Sequence, residues 1–544
     1  MEKRALLAFV LSMIIITAWT LLFSPPPTQP PPKEEPLKGE QGIPSESKEV
    51  GLPSEGVTGP PASAEEPVQE AVRSIKVETP LYIAELGSKG AVLLSWKLKG
   101  YRESLSEDSP LVDLVRPAEG SGPALGLRIG DKIDPAVNSG HFRFDKEHIL
   151  LDHPNTHATL KGVWSAGPGL FVSKEITFWG DRYCVDLSVK VCDSQGRAVA
   201  DLLGLSWPHP AGAEAPKSAA FTGPVALSRN KYEEISDIGK FPAKGMDVKW
   251  AGFAFKYFLA AVVPLEEGKG LLYLKRQDGG VQMTVAQSQG DPGACSFNFR
   301  LYLGPKSADD LKKAEHDLAK ALNFGFFDMV AQPLLGLLQF VNGYTHNYGI
   351  AVIVLTILIK LLFWPLTHKS YSSMKELQRV QPRIKQIRER FKDNKEELNR
   401  EMMLLYKTHK VNPLGGCLPM LVQIPVFFAL YKALMDSIEL RHAPFILWVK
   451  DLSAPDYLLR FPPGVSLFGI EGIGPLPLLM GATMVIQQKM TPTTGDPTQA
   501  KIMMLMPIFF TFLFISFPSG LVLYWLFNNV LSIVQQIYIN SRVE

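Results

Sequence analysis

GIAVIVLTILIKLLFWPL, residues 349–366, decides how this 544-residue chain is read. The run is apolar and long enough to cross a bilayer, with one charge inside it, Lys360. A lysine near the middle of a spanning helix costs about 2.5–3.5 kcal/mol on insertion scales, so it points to function. The polar flank begins at His368, a further stretch of about 12 Å at 1.5 Å rise per residue. A lysine stem reaches roughly half that distance, so snorkelling alone does not carry the ammonium to the interface. Water, or a partner group, must come to Lys360.

Working outward, the C-terminal part predicts five spans, at 347–367, 417–435, 475–488, 502–517 and 520–539. The loop after the first of these holds twelve Lys/Arg between 369 and 410 against six acids. The loop 436–474 holds three basic and five acidic residues. The positive-inside rule puts the Lys-rich loop in the cytoplasm. A sixth span is expected near the N-terminus, where residues 5–23 are apolar after Lys3 and Arg4. A cleaved signal peptide is the rival, but SPPPTQPPP offers no small-x-small cleavage site. An anchor over residues 1–24 leaves both termini in the cytoplasm.

Between anchor and core the composition shifts twice. Residues 25–72 are rich in Pro, Glu, Gly and Ser and read as a disordered tether. Residues 73–306 alternate with period two, most clearly at Val185, Leu187, Val189 and Val191, after a Gly180-Asp181 turn. They predict an extracytoplasmic β-sandwich domain. In 307–324, Ser307 and Asp310 have capping-box spacing and an amphipathic helix is expected. Residues 326–345, interrupted by Pro333, predict an interfacial helix, completing the amphipathic segment 307–346.

With this topology the polar residues of the core (347–544) share a depth. Thr356 and Lys360 lie on one helix face, Gln423 begins the next span, and Thr483 and Gln487 are four apart. Asn528, Ser532 and Gln535 form a further stripe. All fall in the cytoplasmic halves of their spans, whereas the outer halves are hydrocarbon. Interhelical hydrogen bonding alone is the plainer account. The added charge favours a hydrated recess open to the cytoplasm and closed outward. In the hairpin 368–414, Met374, Leu377, Ile384, Ile387 and Phe391 form a seam continued by Leu398, Met402 and Leu405. Pro382 is expected to kink or restart the first helix.

The net charge of +2 implies no nucleic-acid partner, and four cysteines make no disulfide framework. No HExxH, Walker A, GxGxxG or GxSxG arrangement occurs. His153 and His157 have a metal-compatible spacing but read as a loop. A transporter would need internal repeats with broken helices, which are not seen, and a sugar-active sandwich would need a carboxylate pair that no motif supplies. No catalytic, cofactor or metal site is assigned.

WPLT (364–367), VNPLGGCLPMLVQIPVFFALY (411–431), APFILWVKDLSAPD (443–456), QKMTPTTGDPTQAKIM (488–503) and FPSGLVLYW (517–525) closely resemble the YidC/Oxa/Alb family of membrane-protein insertases. The β-domain and WAGFAFKYFLAAVVP (250–264) are similar to its Gram-negative, large-periplasmic-domain form. The resemblance implies a polytopic α-helical membrane protein of six spans in the inner membrane. It implies a periplasmic all-β supersandwich related to sugar-mutarotase folds but not catalytic, and a cytoplasmic helical hairpin. It further implies a substrate groove around Lys360, Thr356, Gln423, Thr483, Gln487, Asn528 and Ser532. Hydrophobic segments would slide past Phe427, Phe428, Phe509, Phe510, Tyr524 and Trp525. Implied partners are nascent membrane proteins, the Sec translocon, membrane lipids and, through the hairpin, ribosome and targeting factors. Where the family usually carries Arg, this chain has Lys360, which keeps the charge and loses the planar fork.

Overall fold

The computed structural model describes residues 74–542, apart from residues 116–122, 131, 134, 168, 211–220, 267, 278–279, 290–292, 393, 410–417, 463, 467–469 and 491–496. The expected anchor and tether lie outside the described residues.

Period-two alternation becomes antiparallel sheet. Phe171–Trp179 pairs with Cys184–Cys192 across the Gly180-Asp181 turn, with Ile176 opposite Leu187. Val185, Leu187, Val189 and Val191 are all buried. These strands sit inside a nine-stranded sheet, flanked by Ser296–Pro305, Phe258–Pro264 and Trp250–Ala254. A six-stranded sheet built around Leu202–Pro210 and Gly280–Ser288 supplies a second layer. A five-stranded sheet carries the N-terminal strands Ser74–Glu78 and Tyr82–Gly87. The core is strongly aromatic. Trp96 stacks on Tyr82 with ring centroids 3.9 Å apart and donates its indole N–H to Leu303 O at 2.9 Å.

One charge sits inside this core. Lys174, 1% exposed, donates to the carbonyls of Gly90, Ala91 and Leu125 at 2.9, 3.0 and 2.9 Å. Burial without a carboxylate partner lowers its pKa to about 7. Of the cysteines described, Cys184 is buried, and Cys192 and Cys295 are free thiols in contact with each other.

After the last strand, Ser307 caps a helix as its spacing predicts, accepting from Asp310 N at 3.2 Å. The long amphipathic helix expected over 307–324 does not form. Helix stops at Lys313, because Glu315, His316 and Asp317 all adopt positive φ, and a 3-10 turn, Leu318–Ala321, follows. Helix i→i−4 bonding cannot pass through three left-handed residues.

Among the described residues, eight α-helices follow, with a short β-pair at Leu459–Arg460 and Gly472–Ile473. They are α1 (Asp328–Thr345), α2 (Tyr348–Leu362), α3 (Trp364–Arg390), α4 (Lys395–Thr408), α5 (Leu418–Asp436), α6 (Pro475–Met490), α7 (Pro497–Phe514) and α8 (Ser519–Arg542). Apolar side chains of α1, α2, α5, α6, α7 and α8 form a core separate from that of the sandwich, and α3 and α4 form a third, smaller one. Among the described residues, Ser519–Ser541 is the one helix long and apolar enough to cross a membrane unaided. The α2–α3 pair meets the same standard only as a unit bent by 66°. The single helix expected over 347–367 therefore ends at Leu362. Pro365, in the first turn of α3, has no N–H to continue the ladder and its ring crowds the preceding turn.

Pro382, by contrast, does not restart α3, which runs unbroken from Trp364 to Arg390. The hairpin seam is Leu377, Val380 and Ile384 against Leu398 and Met402, with Ile387, Phe391 and Leu405 packed alongside. Pro333 is likewise absorbed into α1. The N-terminus of α6 is capped from a distance. Buried Asp456 accepts from Leu476 N at 2.8 Å, which answers an otherwise orphaned helix donor. A Cβ on Gly474 would collide with that carboxylate.

Candidate functional site

The polar residues of the helical core converge on α8, which packs against α2, α3, α5 and α6. Lys360, in the last turn of α2, donates to Ser532 Oγ at 2.7 Å. The Ser532 hydroxyl in turn donates to Asn528 O, one turn back, at 2.7 Å, and the Tyr371 hydroxyl on α3 also bonds Ser532. Gln423 on α5 uses both amide hydrogens, one to Tyr524 Oη at 2.6 Å and one to Asn528 Oδ1 at 3.2 Å. Four helices thus meet in one connected network: ammonium, hydroxyls, carbonyl and amides. Among the described residues, no carboxylate pairs with Lys360. Lys360 itself is only partly covered, while Ser532 is 2% exposed.

Further along α8, Gln535 donates to Thr367 Oγ1 at 2.7 Å. On the neighbouring face, Asn529 donates to Thr483 Oγ1 at 3.2 Å and Gln536 to Met490 O at 2.9 Å, tying α8 to α6. Two polar stripes therefore run down α8. The 528–532–535 stripe is legible from its spacing. The second, Asn529 and Gln536, has seven-residue spacing on an adjacent face, and that spacing is the signal that could have found it.

The sequence-predicted residues divide. Lys360, Ser532, Asn528 and Gln423 are brought together. Thr356 is not: it is fully buried and its hydroxyl returns to Val352 O of its own helix at 2.6 Å. Thr483 belongs to the α6–α8 contact, and Gln487, half-buried, is on the same helix. Of the six aromatic residues, only Phe428 and Phe509 are exposed, at 42% and 56%. Phe427 and Phe510 pack against Trp525 at 4.8 and 6.4 Å, within a cluster that includes Phe514. Tyr524 is a correction to the sliding surface. It is 1% exposed, because its hydroxyl closes the network through Gln423.

Among the described residues no group of three or more His, Cys, Asp or Glu could hold a metal ion. The arrangement offers hydrogen-bond donors and one cation, without a nucleophile–base pair. Its chemistry is recognition.

Residues 340–544 match the family model of the 60Kd inner membrane protein, and residues 74–337 that of the YidC periplasmic domain. An inner-membrane protein with a helical core and a periplasmic β-sandwich domain is the class so defined. The membrane protein insertase YidC of Geotalea daltonii is 41% identical over 551 residues, covering all of both chains. That of Geobacter metallireducens is also 41% identical, covering 100% of this chain and 99% of its own. A crystal structure of an active YidC insertase aligns with 86% of this chain and 92% of its own, at 18% identity and a TM-score of 0.36. The chain belongs to the YidC family of membrane protein insertases.

Proposed function

We propose that this chain inserts nascent membrane proteins into the inner membrane through a one-sided hydrophilic recess floored by Lys360. In this reading α2, α5, α6, α7 and α8 cross the bilayer together with the apolar run 5–23, giving six spans and two cytoplasmic termini. The α3–α4 hairpin (368–414) is cytoplasmic, residues 25–72 tether the periplasmic domain (73–306), and segment 307–346 rests at the outer interface.

The observation that carries the proposal is the Lys360–Ser532 contact at 2.7 Å. An ammonium whose partner is a hydroxyl keeps its net charge, and a net charge at that depth is tolerable only where water reaches it. The amides of Gln423 and Asn528 beside it supply further hydration sites. A recess of this kind shortens the hydrocarbon distance that a substrate's polar tail must cross. Lys360 attracts an acidic tail as a point charge, and the membrane potential then favours its outward passage by about 2.3 kcal/mol per charge per 100 mV. The hydrophobic part of the substrate passes along the exposed faces of α5 and α7, at Phe428 and Phe509. Substrates arrive through the hairpin from ribosome or targeting factors, or laterally from the Sec translocon, and no cofactor takes part.

Cysteine placed at Asn528, a partly exposed member of the network, and probed from the cytoplasmic side of sealed vesicles with a membrane-impermeant maleimide, tests the recess. Labelling from that side alone is expected. Labelling from the periplasmic side, or none while Cys at exposed Met403 reacts, contradicts it.

A further inference from the structure

A second cluster of charge lies away from Lys360, where the sandwich meets the C-terminal end of α5; Lys306 is its buried member, while Glu234, Lys432 and Asp436 keep solvent exposure. A cavity of about 70 Å³ opens there, lined by Tyr232 and Glu234 of an edge strand, Lys306 at the end of the last strand, Phe324, and Lys432 and Asp436 of α5. That volume holds about five water molecules. Lys306 is 9% exposed, and among the described residues its ammonium has no hydrogen-bond or ion-pair partner. Burial pulls its pKa down to about 8, while Asp436 and Glu234 pull the other way. Lys432 and Asp436 stand 3.9 Å apart, at the outer limit of an ion pair, with side chains 37% and 18% exposed at the mouth.

We propose that this cavity binds the phosphoethanolamine headgroup of an outer-leaflet phospholipid. Two cations and two carboxylates around one space match a ligand carrying one phosphate and one ammonium. The phosphate satisfies Lys306 and Lys432, and the ammonium donates to Glu234 and Asp436, so no buried charge is left alone. Depth agrees with this ligand. Phe324 lines the cavity, and two and five residues on in the chain Phe326 and Met329 are 88% and 84% exposed, an apolar surface suited to acyl chains. Phe327 stacks on Phe428 at 5.6 Å and continues that surface onto α5. A choline headgroup would leave the acids without hydrogen bonds, and a glycerol headgroup would bring no cation. The headgroup would join the sandwich to α5 and so set the height of the periplasmic domain over the membrane. This inference rests on the orientation proposed above, with α5 ending at the outer leaflet.

The test uses the full chain in detergent, titrated with short-chain phosphatidylethanolamine, phosphatidylcholine, phosphatidylglycerol or soluble phosphoethanolamine, with melting temperature as readout. Phosphatidylethanolamine is expected to raise the melting temperature of the wild type. Lys306→Met is expected to weaken its apparent affinity about tenfold, the loss of one charge-assisted contact. Lys306→Arg, which keeps the cation, should retain the shift and guards against a folding defect in the methionine variant. Equal shifts with phosphatidylcholine or phosphatidylglycerol, or an unchanged response in Lys306→Met, overturn the proposal. Soluble phosphoethanolamine acting as strongly as the lipid overturns the membrane source. Parallel insertion assays separate the two readings, since failure of headgroup binding with insertion intact removes this inference alone.

Discussion

At the scale of single residues, two lysines carry the account, Lys174 fully buried and Lys360 partly covered, for different reasons. Lys360 keeps a polar network within reach and is proposed to meet a mobile ligand. Lys174 is locked by three backbone carbonyls and has a purely structural role. Lys174→Met should destabilise the sandwich by about 3 kcal/mol, roughly one for each carbonyl left without a donor, measurable by denaturant unfolding of the full chain in detergent. Its pKa of about 7, against an ordinary 10.5, also fixes a sign. Between these values the unfolded chain binds the proton and the folded chain does not, so stability rises with pH from about 7 toward 10. The slope is at most about 1.4 kcal/mol per pH unit and is lost in Lys174→Met. Equal pH slopes for both proteins would contradict this. Lys360 was legible from the sequence as a single charge inside an apolar run. Lys174 was legible only in part: its register with Val172, Ile176 and Phe178 places it on the inward face of the strand, but the three carbonyls that receive it come from distant segments.

At the scale of elements, close approach and backbone punctuation explain what the sequence showed and what it hid. The α6–α7 crossing depends on Gly481, where a Cβ would run into Thr511 Oγ1. Gly481→Leu should lower the melting temperature, with a cost of about 1–3 kcal/mol for overpacking, whereas Gly336→Ala, inside a helix with open space at its Cβ, should stabilise by up to about 1 kcal/mol. The positions of the strands, the hairpin seam and the apolar helices could be read from their periods. The break at Glu315–Asp317 could not, since none of those residues is a glycine and only the backbone reveals their left-handed turn. Two prolines inside helices, Pro333 and Pro382, suggested interruptions that packing overrides, while Pro365 marks a real 66° bend. Of the candidate site, the gathering of Lys360, Gln423, Asn528 and Ser532 was readable. The partners of the threonines were not, because whether a threonine faces a neighbour or bonds its own helix depends on helix rotation, as Thr356 and Thr483 illustrate.

At the scale of the whole molecule, the sandwich, the helical bundle and the α3–α4 hairpin have separate hydrophobic cores, and the proposed chemistry lies entirely in the bundle. Deleting residues 74–305 should therefore leave insertion of a short single-span substrate within about threefold of wild type, scored in vesicles, since no recess residue is removed. Loss of insertion in a deletion variant that still folds would place essential groups in the sandwich. The central claim, that the Lys360 charge draws a substrate's acidic tail into the core, is tested most directly by reconstitution. Purified wild type, Lys360→Arg, Lys360→Ala and Lys360→Glu are placed in liposomes with one single-span substrate bearing an acidic tail, and protease-protected substrate is measured. Wild type and the arginine variant are expected to insert alike, alanine to be slower by about tenfold, and glutamate slower still. Equal insertion by wild type, alanine and glutamate would remove the charge from the mechanism.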